Sequence, residues 1–271
     1  EEYGEATPDL LLKEEGFFLS PDNLDDYKDI EESIKFHKKR DRFCYVQTPG
    51  FAETFSGVFG IQNHMLYMAL YPDEMDQLYA RQAEWDLRFI DHCVDLGVDM
   101  IHFSDDWGSQ KSTFMSPEMW GEFYVDAYKE IYGYYKSHGV ELVVHHSDGY
   151  AATLVPAMIE MGIDVWQGCF STNDIPDLIN KYGGKISFMG GIENHLVDFE
   201  GWTEENNRYY IEKTIKECGN KYFIPCIAQG GPGSVFPGVY MNMCDLIDQH
   251  NIDNYGATKE ELEAARLPHQ I

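Results

Sequence analysis

The segment His146-Ser147-Asp148-Gly149 places an imidazole and a carboxylate two residues apart, shortly after the apolar run Val140–Val144. An apolar run that stops abruptly in polar residues is typical of a buried parallel strand whose end faces a reaction site. An imidazole and a carboxylate in that place can move protons or bind a metal ion. We therefore expect His146 and Asp148 to serve such a site. A hydrogen-bonded histidine that only orients the loop is the alternative for His146.

Adjacent carboxylates follow another apolar run, at Asp105 and Asp106. In an extended chain neighbouring side chains point to opposite faces, so only one of the two can enter a shared cleft. That carboxylate is predicted to act as a general base, to orient substrate or to hold a ligand histidine, and the other to cap the following turn. Glu193 follows Gly190-Gly191 and is predicted to be an acid–base group, a further ligand or a solvated rim residue.

Substrate contacts are predicted for Trp107, Gln110 and Gln229. Trp107 and Gln110 lie in the loop after Asp106, where a flat aromatic ring beside polar groups suits a planar or methyl-bearing ligand. Core packing explains the aromatic residue equally well. Gln229 opens a glycine-rich loop that lacks a nucleotide-binding fingerprint.

The elements that carry these residues alternate between strand and helix. Apolar residues at helical spacing and nearby glycines predict helices over residues 72–96, 117–138, 154–161, 175–182, 204–218 and 237–250. Strands are predicted from apolar runs that end in polar or glycine-rich segments: Phe43–Gln47, Val98–Phe103, Val140–Val144, Ile163–Trp166, Ile186–Met189 and Tyr222–Pro225. Parallel neighbours need crossover helices, so the predicted fold class is α/β, a (β/α)8 TIM-type barrel. Such a barrel has eight strands, and we expect the first two to be missing from this chain. Residues 1–40 are predicted to be an acidic lead-in segment, and residues 41–271 the barrel domain.

The charge balance limits the classes of partner. With 47 acidic and 20 basic residues, the net charge of −27 opposes binding to nucleic acid or to anionic membrane surfaces. A solvated acidic surface is the simpler interpretation, and a surface that recruits a basic protein is the alternative.

Cysteine usage and the lack of long apolar runs point to a cytoplasmic protein. The six cysteines show no CxxC pair and are predicted to be reduced thiols. We find no leader-like start and no apolar run near the roughly 20 residues that a membrane span needs.

The motifs, taken in order, resemble the uroporphyrinogen decarboxylase superfamily over roughly residues 43–250. The matching segments are 105–108, 116–120, 146–149, 162–164, 189–193 and the strand carrying Cys226. The resemblance implies a (β/α)8 barrel with its cleft at the carboxyl ends of the strands. The superfamily includes both porphyrin decarboxylases and methylcobamide-dependent methyltransferases.

The methyltransferase branch implies a zinc site built from a His-x-Cys element and a cysteine on the last strand. His146 and Cys226 match two of these ligands, whereas Asp148 occupies the cysteine position of the His-x-Cys element. Zinc accepts carboxylate oxygen, so Asp148 can replace the sulfur, and Cys169 is a further candidate ligand. Each cysteine also has a structural interpretation as a buried strand thiol.

Methyl transfer between a small methylated compound or thiol and a cobamide is therefore the function predicted first. The cobamide would reside on a separate corrinoid protein. Porphyrinogen decarboxylation is ranked second. The resemblance to porphyrin decarboxylases implies a histidine in the last loop, which this chain lacks, and the strongly negative chain opposes the approach of an acidic substrate. A non-catalytic, ligand-binding barrel is the third.

Overall fold

The computed structural model describes residues 6–14, 27–227 and 235–266. It divides into two compact units, Glu1–Gln167 and Gly168–Ile271. Each unit is treated by itself. This division does not test the predicted boundary after residue 40, which stays a prediction.

Parallel strands form the centre of the first unit. They are β1 (Tyr45–Pro49), β2 (Met100–Ser104), β3 (Leu142–His146) and the first residues of β4 (Val165–Cys169). Each pairs in parallel with the next, and the register places Ser104 beside His146 and His146 beside Gln167. The carboxyl ends of these strands therefore lie level with one another.

In the described part of the first unit two helices precede β1, and five others follow its strands as expected for crossover connections. They are α1 (Pro8–Leu12), α2 (Lys28–Lys38), α3 (Phe51–Phe59), α4 (Ile61–Leu70), α5 (Pro72–Asp95), α6 (Pro117–Ser137) and α7 (Val155–Met161). The predicted helices over 72–96, 117–138 and 154–161 are confirmed within two residues. Helices α3 and α4 are not among the sequence predictions. Gly57 lies within α3 and Gly60 separates the two helices, and glycines at these places weaken the helical signal of the segment.

Helix α6 supplies the aromatic core beneath the strand ends. Its buried rings recur four residues apart, so that they lie on one stripe of the helix. The stripe comprises Trp120, Tyr124, Tyr128 and Tyr132, each at most 1% exposed. Phe51, Phe103 and Trp107 pack against it. The core thus reaches directly to the loop after β2.

The start of α6 has the sequence signature of a capped helix. Ser116 accepts a hydrogen bond from the backbone N–H of Met119 at 3.2 Å, and Pro117 occupies the first helical position. Replacing Ser116 with alanine should lower the free energy of unfolding by about 1 kcal/mol, because that N–H loses its acceptor. Urea denaturation measures the change. Ser116→Asp is the matched control, since aspartate keeps an acceptor there, and equal losses in both variants would contradict the role of the cap.

The second unit contains the end of β4, β5 (Ser187–Ile192) and β6 (Phe223–Ile227), of which β5 and β6 pair in parallel. Its helices are α8 (Ile175–Tyr182), α9 (Asn194–Val197), α10 (Glu204–Cys218), α11 (Val239–Tyr255) and α12 (Lys259–Ala265). Ile192, Ile211 and Met243 are among the buried residues that join β5 to α10 and α11. Helices 175–182 and 204–218 match their predicted bounds.

The described residues thus provide six parallel strands, two fewer than a closed eight-stranded barrel. Within the same ranges, no helix combines the length and the apolarity required to span a bilayer. All six cysteines lie in the described ranges and are thiols, not disulfides.

Candidate metal centre

Strand register brings the carboxyl ends of β2 and β3 together beside Gln167 of β4. The pairing continues one residue past the strands, because Asp105 N–H donates to the His146 carbonyl and Ser147 N–H to the Gln167 carbonyl. The loops that leave β2 and β3 therefore start side by side. Asp106 and Asp148, two residues after Ser104 and His146, occupy equivalent positions in these loops.

Asp106, His146 and Asp148 form a compact group of possible metal ligands. One ligand atom from each lies within 4.8 Å of the others, and no other such group of three is found in the described part of the chain. The Nε2 atom of His146 is 3.7 Å from a carboxylate oxygen of Asp106 and 3.7 Å from one of Asp148. Asp106 also accepts a hydrogen bond from the backbone N–H of Asp148 at 2.8 Å, which fixes the two loops relative to each other.

Burial differs among the three side chains. The side chains of His146 and Asp148 are 18% and 11% exposed, whereas that of Asp106 is 51% exposed. The group is therefore anchored on its β3 side and open to solvent on the Asp106 side. One imidazole nitrogen and two carboxylate oxygens are donors that zinc and other divalent ions accept. The donor set fits a metal ion.

The opposite nitrogen of His146 contacts Gln167, since His146 Nδ1 forms a short hydrogen bond with Gln167 Oε1. The same oxygen lies 3.4 Å from Nε2 of His102 on β2. Burial, followed by the neighbouring His146, lowers the pKa of His102. Neither Gln167 nor His102 was singled out from the sequence. The signal was a polar residue in each of two otherwise apolar strands.

Asp105 points away from this group into the core. It is fully buried and accepts hydrogen bonds from Tyr128 Oη at 2.6 Å, Trp107 Nε1 at 2.7 Å and the backbone N–H of Glu53 at 2.8 Å. Burial raises the pKa of Asp105 to about 7, although these hydrogen bonds act in the opposite direction. Asp105 thus ties the first turn of α3 to the loop after β2. Its predicted catalytic role stays a prediction.

The predicted substrate contacts occupy three different environments. Trp107 is 2% exposed and its ring stacks on His145 with centroids 3.9 Å apart, so it lies in the core. His145 contacts Tyr132 Oη through Nδ1 at 2.7 Å, and burial holds its pKa well below the usual range. Gln110 is exposed in a tight turn. Gln229 lies outside the described residues.

The remaining predicted site residues belong to the second unit. Glu193 accepts hydrogen bonds from the backbone N–H and the hydroxyl of Ser171 and lines a cavity of about 430 Å³. Cys169 is fully buried, and burial raises its thiol pKa well above the usual range. Cys226 is half-buried on β6, in register with Gly191. The ligand roles of both cysteines stay predictions.

Comparison with known proteins identifies the family. The profile of "Uroporphyrinogen decarboxylase (URO-D)" matches residues 54–222, more than half of the chain. The chain belongs to the uroporphyrinogen decarboxylase family. The URO-D match contains Asp105, Asp106, His146, Asp148 and Glu193, whereas Cys226 and Gln229 lie beyond it. A search of curated proteins finds no match.

The solved structures that resemble this URO-D chain include the following two. One is a methyltransferase from Methanosarcina mazei, with a TM-score of 0.63 and 15% identity over 82% of this chain. The other is a B12-independent methionine synthase from Shewanella sp. W3-18-1 in complex with selenomethionine, with a TM-score of 0.52 and 14% identity. The second match covers 83% of this chain and 68% of that one. This chain spans 64% of the length of the methyltransferase structure.

At these identities the likeness concerns the fold. It confirms the predicted class, an α/β fold of the TIM-barrel type. The URO-D match confirms the predicted place of this chain in the URO-D superfamily.

Proposed function

We propose that the chain is a metal-assisted methyltransferase of the URO-D superfamily, in which Asp106, His146 and Asp148 hold a zinc ion. The observation that carries the proposal is the convergence of an imidazole nitrogen and two carboxylates within 4.8 Å at the strand ends. One of the two similar structures is named a methyltransferase, which supports the reaction class.

The roles of the protein's residues follow from their contacts. His146 is the best-anchored ligand, because its other nitrogen is held by Gln167. Asp148 is largely shielded from water, and Asp106 faces solvent, where a substrate can approach. Zinc supplies Lewis acidity: it favours the thiolate form of a bound thiol or polarises a methylated oxygen. Asp105 and Tyr128 keep the loop in place and touch no substrate in this proposal.

The methyl donor or acceptor is proposed to be a small methylated compound or thiol, and the second reactant a cobamide carried by a separate corrinoid protein. The two site carboxylates and the net charge of −27 disfavour a polycarboxylate porphyrinogen, because the carboxylates of such a substrate would be repelled by those of the protein. Decarboxylation is therefore an outcome that the assays must separate from methyl transfer. A cytoplasmic location is proposed with this function.

Zinc content tests the centre. We expect about one zinc ion per chain after purification without chelator, and a zinc affinity at least about tenfold lower in His146→Ala and Asp148→Asn. His138→Ala is the matched control, because that histidine is exposed near the end of α6 and contacts Tyr134. Cys226→Ser examines the predicted sulfur ligand. Wild-type protein that neither retains nor regains zinc would refute the metal centre.

Methyl transfer is tested separately with methylcobalamin and a panel of thiols, followed by the cobalamin absorption spectrum. Demethylation that depends on His146 supports the proposal. Turnover of a porphyrinogen without demethylation would assign decarboxylation instead. Retention of a ligand with neither activity would assign a binding role.

A further inference from the structure

One side-chain oxygen contacts two imidazole rings in the first unit. Gln167 Oε1 forms a short hydrogen bond with His146 Nδ1 and lies 3.4 Å from His102 Nε2. The contact follows from register, because His146 pairs with Gln167 on β4, and the ring centroids of His102 and His146 are 6.0 Å apart. Gln167 therefore reaches both rings from a fixed strand position.

An amide oxygen can only accept hydrogen bonds. Both imidazole nitrogens that face it must therefore carry hydrogen, so that a neutral His146 is the Nδ1–H tautomer and a neutral His102 the Nε2–H tautomer. For His102 this is the one side-chain hydrogen bond described, since its Nδ1 is buried without a hydrogen-bond partner among the described residues. Gln167 is thus the group that sets the proton positions of both rings.

The tautomer decides what His146 can do. With hydrogen on Nδ1, the lone pair of Nε2 faces the carboxylates of Asp106 and Asp148 at 3.7 Å. A lone pair between two carboxylates repels them, and a bound cation removes that repulsion. The opposite tautomer would donate Nε2–H to the carboxylates and would leave no nitrogen to bind a metal.

We propose that Gln167 is a positioning residue, which fixes the tautomer and ring orientation of His146 so that Nε2 is available to a cation. The use of that nitrogen for zinc rests on the proposed function, whereas the tautomer does not. A hydrogen bond to the distal nitrogen of a ligand histidine commonly changes metal affinity by 10–100-fold.

The tautomer is measured directly by long-range ¹H–¹⁵N spectra of protein labelled in its histidines, without metal. We expect Nδ1–H for His146 in the wild type and in Gln167→Glu, whose carboxylate accepts from both rings. We expect Nε2–H in Gln167→Leu, where the carboxylates of Asp106 and Asp148 are the acceptors that remain among the described residues. In Gln167→Asn the shorter amide cannot reach both rings, so at least one of the two histidines should change.

The matched control is Gln82→Leu. Gln82 is a buried glutamine of the first unit, whereas Gln167 is only partly buried, and the Gln82 amide donates to the Pro49 carbonyl. Its replacement should destabilise the protein without changing the tautomer of His146. If Gln167→Leu does not fold, the comparison of Gln167→Glu with Gln167→Asn carries the test.

Zinc affinity, measured by competition with a chromophoric chelator, is the second readout. Gln167→Leu should bind zinc about 10–100-fold more weakly, and Gln167→Glu should recover most of that loss. An Nε2–H tautomer for His146 in the wild type, or an unchanged tautomer in Gln167→Leu, would overturn the assignment. Correct tautomers in a protein that binds no zinc would refute the metal centre and leave the positioning role intact.

Discussion

Replacing Asp105 with alanine should lower the free energy of unfolding by about 3–5 kcal/mol. The fully buried carboxylate accepts hydrogen bonds from Tyr128, Trp107 and the backbone of Glu53, and alanine leaves all three donors without an acceptor. Urea denaturation measures the loss. Asp106→Ala is the control, because Asp106 is exposed and should cost about 1 kcal/mol or less. Equal losses in the two variants would show that the buried anchor contributes no more than a surface contact.

The pH dependence of Asp105 has a definite sign. Burial raises its pKa in the folded state to about 7, whereas an unfolded aspartate titrates near about 3.9. Between these values the folded chain holds a proton that the unfolded chain has released, so the carboxyl stabilises the fold at low pH. That contribution is lost as the pH rises from about 4 to about 7.

Asp105→Asn removes this titration while keeping the side-chain volume. The stability of the wild type relative to Asp105→Asn should therefore fall by a few kcal/mol across that range. Denaturation of both proteins at pH 4.5–8 checks it. A constant difference between them would mean that the carboxyl has the same pKa in both states.

Gly149→Ala should lower the free energy of unfolding by about 3 kcal/mol or more. Gly149 has a φ of +82°, and a Cβ atom there would lie 2.5 Å from the Gly108 carbonyl oxygen and 2.6 Å from that of Ser109. These are backbone atoms held by the hydrogen bond from Tyr150 N–H to Ser109, so they cannot move away at low cost. Because Asp148 precedes the glycine, zinc affinity should also fall.

Gly139→Ala separates the two causes of the lost stability, which are the positive φ and the close backbone contacts. Gly139 has a φ of +98°, and nothing lies within 4 Å of a Cβ atom built on it. It should show only the conformational cost of about 1 kcal/mol. If both variants lose the same stability, the close approach of the two loops is not what requires glycine at position 149.

The positions of the strands were the best-predicted feature of the fold, because a change between apolar and polar residues can be read from neighbouring residues in the sequence. Each observed strand begins within two residues of its predicted run, and His146 is the last residue of β3 itself. The helices that begin at a serine cap or end near a glycine were predicted equally well. Helices α3 and α4 were not predicted, because Gly57 and Gly60 interrupt their segment and weaken its helical signal.

The site was predictable only in part, because contacts between strands depend on register. The sequence identified His146 and Asp148 as neighbours, but it could not decide whether Asp105 or Asp106 joins them. A shift of one residue in the pairing of β2 with β3 would have exchanged their positions. Gln167 was missed for the same reason, since its importance lies in being opposite His146.

The turn after Trp107 has a consequence for how the chain can vary. Asp105 to Gly108 are bound to the core and to the next loop, while the tip, residues 109–112, is exposed and closed on itself by the hydrogen bond from Ser109 N–H to the Ser112 carbonyl. Insertions between Gln110 and Lys111 can therefore lengthen this loop without disturbing the anchored carboxylates. The tip is therefore a suitable position for grafting a foreign peptide.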